Sequence, residues 1–247
     1  MIRLYKSNMM RLFKNYFFLG GCAIALVLTL MTVKHKLDSV FVFLKGGSPE
    51  GIMFFMSAAM VAFFTIFTVI YTNTEYSNGV IRNKITAGFS QTQIYLSHLL
   101  THISAALIMC VFYVLGGVIG GARYKAYYFK ANIAFMLALF AYIAVINLIA
   151  MRLKNVVVAI VFAMAVLNIS FNMVLFGNLV VTALKGKALF IGAVIYNISA
   201  LGQWFVYTGF ADEEANPGFL VQLALSVIIF VLATLIGLIK INKRDLA

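Results

Sequence analysis

Residues 156–176 read VVVAIVFAMAVLNISFNMVLF, twenty-one positions without one charged side chain. A helix rises about 1.5 Å per residue and bilayer hydrocarbon is about 30 Å thick, so roughly 20 residues suffice to cross it. A lipid-facing strand would alternate in polarity over about ten residues, whereas this run is apolar on every side. It reads as a membrane-crossing helix.

Six more apolar runs flank it: Tyr16–Val33, Ile52–Thr72, Leu99–Ile119, Ala131–Met151, Ala188–Val206 and Phe219–Ile239. The whole chain of 247 residues is 64% hydrophobic and 11% charged. An ordinary soluble domain carries roughly 25% charge, so these side chains cannot cover a water-facing surface. The chain reads as one all-α transmembrane domain, residues 1–247, in a lipid bilayer. Cys22 and Cys110 lie far apart inside apolar runs, with neither disulfide nor metal-ligand spacing, and are expected as packing residues. Leu19-Gly20-Gly21-Cys22 has the look of a lipoprotein cleavage box, but the apolar run extends beyond it, so an uncleaved span is expected.

Charge decides how many runs cross. Arg3, Lys6, Arg11 and Lys14 at the start and Lys240, Lys243 and Arg244 at the end place both termini in the cytoplasm under the positive-inside rule. The number of crossings is then even. The weakest run, Ala188–Val206, contains Asn197, Gly202 and Gln203 and precedes Asn216-Pro217-Gly218. It is expected to be an outer re-entrant hairpin within residues 177–218, leaving six spans. With that topology 11 Lys/Arg lie inside and 8 outside, against 2 acids inside and 5 outside. The plasma membrane is the expected location.

Residues 1–15 are expected to form an interfacial elbow helix, with Ile2, Tyr5, Met9, Leu12 and Phe13 on one arc, Arg3, Lys6, Arg11 and Lys14 opposite, and Leu4 and Met10 as exceptions. Between spans two and three, Thr72-x-x-Glu75 has capping-box spacing and predicts a new helix there. That helix stops at Gly88, and a second box, Ser90-x-x-Gln93, opens span three.

Glu75-Tyr76-Ser77-Asn78-Gly79-Val80-Ile81-Arg82-Asn83-Lys84, followed by Ala87-Gly88-Phe89-Ser90 and Ile94-Tyr95-Leu96, resembles the second intracellular stretch of ABC-transporter permeases of the type-two exporter class. That stretch has an acidic residue, a glycine four positions on, and a basic helix ending in a glycine-serine turn. Gln91 departs from the pattern, where many relatives carry Arg or Lys. The resemblance implies that residues 73–90 are a coupling helix seated in a separate ATPase, with Glu75, Tyr76, Gly79, Arg82, Lys84, Gly88 and Ser90 as coupling positions. It also implies two cytoplasmic ABC ATPase copies, a second copy of this chain or a related permease, and ATP and Mg2+ held by the ATPase.

No Gly-x-x-x-x-Gly-Lys-Ser/Thr loop, nucleophile elbow or His-Glu-x-x-His occurs, so no catalytic role, cofactor or nucleic-acid partner is expected of this chain. His98 and His102, four apart, lack a third metal ligand nearby and are expected as an interfacial pair at the cytoplasmic end of span three. Every Asp, Glu, Lys and Arg lies outside the span interiors, which disfavours a secondary transporter or channel coupled to ions. Buried polar residues are neutral: Thr65, Thr68, Ser104, Asn147, Asn168, Ser170 and Asn172. Helix bridging is their commoner use, with Asn147, Asn168 and Asn172 as candidates to line a translocation pathway for an amphipathic or hydrophobic cargo. Gly116-Gly117-x-x-Gly120-Gly121 holds two overlapping Gly-x-x-x-Gly spacings, read as a close helix approach or a flexible exit. The outer cluster Asp212-Glu213-Glu214 reads as solvated charge.

Overall fold

The computed structural model describes residues 1–36, 49–123, 126–208 and 213–239. Asp212 and the cationic tail from Lys240 onward fall outside the described residues. The described chain is all-α: α1 (Ile2–Phe13), α2 (Tyr16–Val33), α3 (Pro49–Met56), α4 (Ala58–Ser77), α5 (Val80–Thr86), α6 (Gln91–Gly120), α7 (Ala126–Arg152), α8 (Val156–Ala183), α9 (Gly186–Tyr196), α10 (Ala200–Phe205) and α11 (Phe219–Leu238). Six helical stretches are long and apolar enough to cross a membrane: α2, α3 with α4, α6, α7, α8 and α11. The chain is a polytopic membrane protein with six spans.

Ala188–Val206 forms no continuous span. It divides at Asn197–Ser199 into α9 and α10, of 11 and 6 residues, each too short to cross. The break is held by polar groups. The Asn197 amide donates to the Ala193 and Ala215 carbonyls, both at 2.8 Å, and Ser199 caps α10 by accepting from Gly202 N–H at 2.9 Å. From α11, Gln222 donates to Asn197 Oδ1 at 2.9 Å and accepts from the Tyr207 hydroxyl at 2.6 Å, while Ser226 donates to Gln203 Oε1 at 2.9 Å. The buried side-chain amides of Asn197, Gln203 and Gln222 thus all find partners, as an apolar solvent requires.

α4 and α7 are the most enclosed spans, and α8 and α11 the least. α7 turns Ala131, Ala134, Ala138 and Ala141 inward at three- and four-residue spacing, and small side chains there let neighbouring helices close in. Thr65 on α4 bridges to the Tyr142 hydroxyl on α7 at 2.6 Å. Arg152, the last residue of α7, donates to the Ile236 carbonyl and, at 3.1 Å, to that of Ile239, closing the C-terminal end of α11. Cys22 is buried and Cys110 half-buried, both free.

Two local expectations are corrected. The capping box at Thr72–Glu75 does not start a helix, because α4 runs unbroken to Ser77. The break falls where the backbone demands it, at Gly79, whose φ of +65° is left-handed. On α1 the inward face is Leu4, Asn8 and Leu12, whereas Ile2 and Phe13 are exposed. Asn8 lies in the middle of that stripe, so a hydrophobic pattern cannot find it.

The glycines of α6 make a close approach rather than a loose exit. A Cβ on Gly116 would stand 2.5 Å from the Leu26 carbonyl oxygen of α2, and one on Gly120 would stand 2.8 Å from Val33. The atom met at Gly116 is backbone and cannot swing aside. Gly116→Ala is therefore expected to push α2 off α6 and to destabilise the fold by about 1–3 kcal/mol, the usual cost of overpacking. Thermal unfolding in detergent micelles checks this, with Gly20→Ala, where a Cβ meets nothing within 4 Å, as the unaffected control.

Candidate functional site

Glu75 lies in the last turn of α4 and is fully buried. An ionised carboxylate out of water needs several donors, and here they arrive from three other helices. Arg11 of α1 pairs with Oε1, while Lys84 of α5 at 2.5 Å and His98 of α6 at 2.9 Å both reach Oε2. Lys84 also donates to Asn8 Oδ1 at 2.9 Å, and the Asn8 carbonyl accepts from the Tyr71 hydroxyl at 2.9 Å. The Arg11 guanidinium stands 5.7 Å from the centre of the Tyr71 ring, within cation–π range. Burial pushes the Lys84 ammonium below the ordinary lysine range, and Glu75 beside it opposes that shift.

The histidines extend this cluster into the bundle. α6 begins at Gln91, eight residues before the expected start of span three, so His98 and His102 lie about two and three turns inside the helix. Both are fully buried. His102 Nε2 meets Thr72 Oγ1 at 3.3 Å. Among the described residues no group of three or more His, Cys, Asp or Glu is placed to hold a metal.

The seven positions singled out in residues 73–90 divide by exposure. Glu75 and Lys84 turn inward, and Tyr76, half-buried, donates to the Met151 carbonyl at 3.1 Å, tying the end of α4 to that of α7. Arg82, Gly88 and Ser90 are exposed, and Gly79 is half-buried at the turn. α5 is thus a seven-residue helix with Ile81 and Lys84 buried beneath it and Arg82, Asn83 and Thr86 facing out. Both its ends are fixed. Gly88, at φ +85°, lets Phe89 N–H return to the Lys84 carbonyl at 3.1 Å. The Ser90 box that follows has both its bonds, each 3.2 Å.

The three asparagines part company. Asn147 is fully buried on α7, near the Tyr95 hydroxyl but short of hydrogen-bond geometry with it. Asn168, exposed, and Asn172, half-buried, edge an open groove of about 780 Å³ between α8 and α9, otherwise lined by apolar side chains such as Phe176, Val180, Ile191 and Ile195.

No protein-family model, curated protein or solved structure matches this chain. Its six apolar spans are consistent with a membrane transport protein in general.

Sequence reading missed Asn8, Arg11, His98 and Thr72 as members of one cluster. A usable signal existed: an acid ending an apolar helix must find cations, and Lys84 and His98 follow it 9 and 23 residues on.

Removing the acid strands the cations. Glu75→Gln is expected to destabilise the protein by about 3–5 kcal/mol, the usual cost of breaking a buried ion pair from one side. The double variant Glu75→Gln with Lys84→Gln should recover part of that loss, because it no longer buries an unmatched ammonium. A double-mutant cycle on unfolding in micelles measures the coupling, and additive losses would show that the two side chains do not interact.

Proposed function

We propose that this chain is the membrane-spanning permease subunit of an ATP-driven exporter of the ABC class. It works with two copies of a separate cytoplasmic ATPase and a second permease copy or a related permease. Its cargo is amphipathic or hydrophobic, of the kind represented by a peptide toxin, a bacteriocin or lantibiotic, or a drug, moved across the plasma membrane with both termini cytoplasmic. ATP and Mg2+ belong to the ATPase, and this chain is not itself an enzyme.

The observation that carries the reading is the seating of α5. A short helix with an exposed Arg82-Asn83 face is bolted from beneath, through Lys84, to the carboxylate that also holds α1 and α6. Force applied to such a knob has no slack to take up before it reaches the spans. Residues 73–90 then serve as the coupling helix, with Arg82, Gly88 and Ser90 at the contact surface and Glu75, Tyr76 and Lys84 as the brace behind it. α1 serves as the elbow helix, and α9–α10 as the outer re-entrant hairpin. The apolar groove edged by Asn168 and Asn172 suits an amphipathic cargo, with Asn147 as a bundle residue behind it.

The alternative is a secondary transporter or channel without ATP. One observation favours it: Glu75, His98 and His102 form a titratable group continuing into a span. Transport decides between the two. In vesicles carrying this chain alone, cargo movement driven by a proton gradient without nucleotide would overturn the exporter reading. Movement that requires an added ATPase partner and ATP supports it.

Gly79→Pro gives a sharper test. Proline holds φ near −65°, whereas Gly79 sits at +65°, so the turn into α5 cannot be kept. The variant is expected to insert normally yet lose most ATPase-coupled transport or release the ATPase on purification; coupling at the wild-type level would remove α5 from this role.

A further inference from the structure

Asn168 is the thirteenth residue of a 28-residue helix, roughly 18 Å from its start, and so stands at the middle of a span. It is exposed. Its Oδ1 accepts from Asn172 Nδ2 at 2.9 Å, and no donor bond from its own amide nitrogen is formed within the described chain. At that depth the surroundings are hydrocarbon, which offers the amide no partner.

The face around Asn168 is patterned. Val157, Val161, Met164, Asn168, Phe171 and Leu175 follow one another at steps of four and three residues, and all are exposed. That repeat, about 3.5 residues, keeps one stripe turned toward a parallel neighbour as two helices wind together. A single asparagine in such a stripe sets register and number of helices by pairing with its own kind. The outward faces of α2 and α11 lack one among the described residues. On α11 the outward residues include Val227, Ile228, Val231 and Leu235, and on α2 they include Ile24 and Val27, with no amide among them.

We infer that the Asn168 stripe of α8 is the seam at which a second copy of this chain docks, with the two Asn168 amides hydrogen-bonded to each other at the membrane midplane. An amide is both donor and acceptor, and the flanking residues carry no charge, so the face is self-complementary, as a two-fold interface must be. The groove between α8 and α9 then opens beside the seam, which brings a copy of it from each subunit toward the same side. This extends the paired-subunit element of the proposed function, but its own support is the exposed amide, whatever powers transport.

Cysteine cross-linking in native membranes tests the seam. In a chain carrying Cys22→Ala and Cys110→Ala, Phe171→Cys and Leu175→Cys, which keep the Asn168 amide, should each give a strong disulfide-linked dimer on mild oxidation, while Val231→Cys on α11 and Ile24→Cys on α2 should give little. No dimer from either seam position would overturn the inference, as would equal dimer from all four. So would a cross-link that forms only to a different, co-expressed permease. Separately, Asn168→Leu should weaken self-association roughly tenfold in vesicles, read by energy transfer between labelled copies as lipid dilutes them. Thermal unfolding of the dispersed monomer should be unchanged, because among the described residues the amide bonds to Asn172 alone. Unaltered association in that variant would remove Asn168 from the interface. Copurification of an ATPase is scored independently: cross-linked dimer without bound ATPase keeps the seam and discards the ATP-driven reading, and bound ATPase without cross-linking does the reverse.

Discussion

The Glu75 carboxylate is the constraint around which one end of this protein is built. A lone ion moved out of water costs several kcal/mol even after the surroundings relax, so the charge persists only where donors converge on it. Here they come from α1, α5 and α6, and none of the three can leave without stranding the others. Replacing such clusters with well-packed apolar residues is often neutral or stabilising. Net stability is therefore a poor account of why a carboxylate sits here. Its consequence is geometric: four helices meet in one arrangement, and a one-residue slip of any of them separates the charges.

The opposite end of the bundle is held by different chemistry. Asn197, Gln203, Gln222, Tyr207 and Ser226 form a neutral network in which α9, α10 and α11 share hydrogen bonds. Between the two ends, packing does the work. Alanines of α7 and glycines of α6 allow backbones to approach closely, and the gain is dispersion and a few side-chain bonds rather than expulsion of water, since lipid is as apolar as the side chains themselves. Polar clamps at each end and smooth contact along the middle give a bundle whose ends are specified more tightly than its centre.

Enclosure sorts the spans by role. α4 and α7 turn most of their surface to protein, whereas α8 and α11 turn most of theirs outward. In an apolar solvent an outward valine needs no explanation, because lipid satisfies it. An outward asparagine does, because hydrocarbon cannot. The contrast between Asn147, enclosed on α7, and Asn168, exposed on α8, is thus more informative than the presence of either.

Much of this was legible in the chain. The apolar runs offered seven crossings, because length and hydropathy are set against a solvent slab of known thickness, and the charge at the two ends with the polar residues of 188–206 reduced them to six. The stop at Gly88 and the Ser90 cap were readable because left-handed φ values and orphan helix-end amides make local demands on residue type. The start of a helix at Thr72 was misread, since capping-box spacing also occurs by chance inside a continuing helix. What only the tertiary structure decided was direction. Nothing in the sequence says that Leu4, Asn8 and Leu12 face inward, that Arg11 reaches a carboxylate 64 residues away, or that Asn147 turns in while Asn168 turns out. In an all-apolar helix the hydrophobic pattern carries no face, so orientation is set by where the neighbouring helices happen to close, and that is a property of the assembled bundle alone.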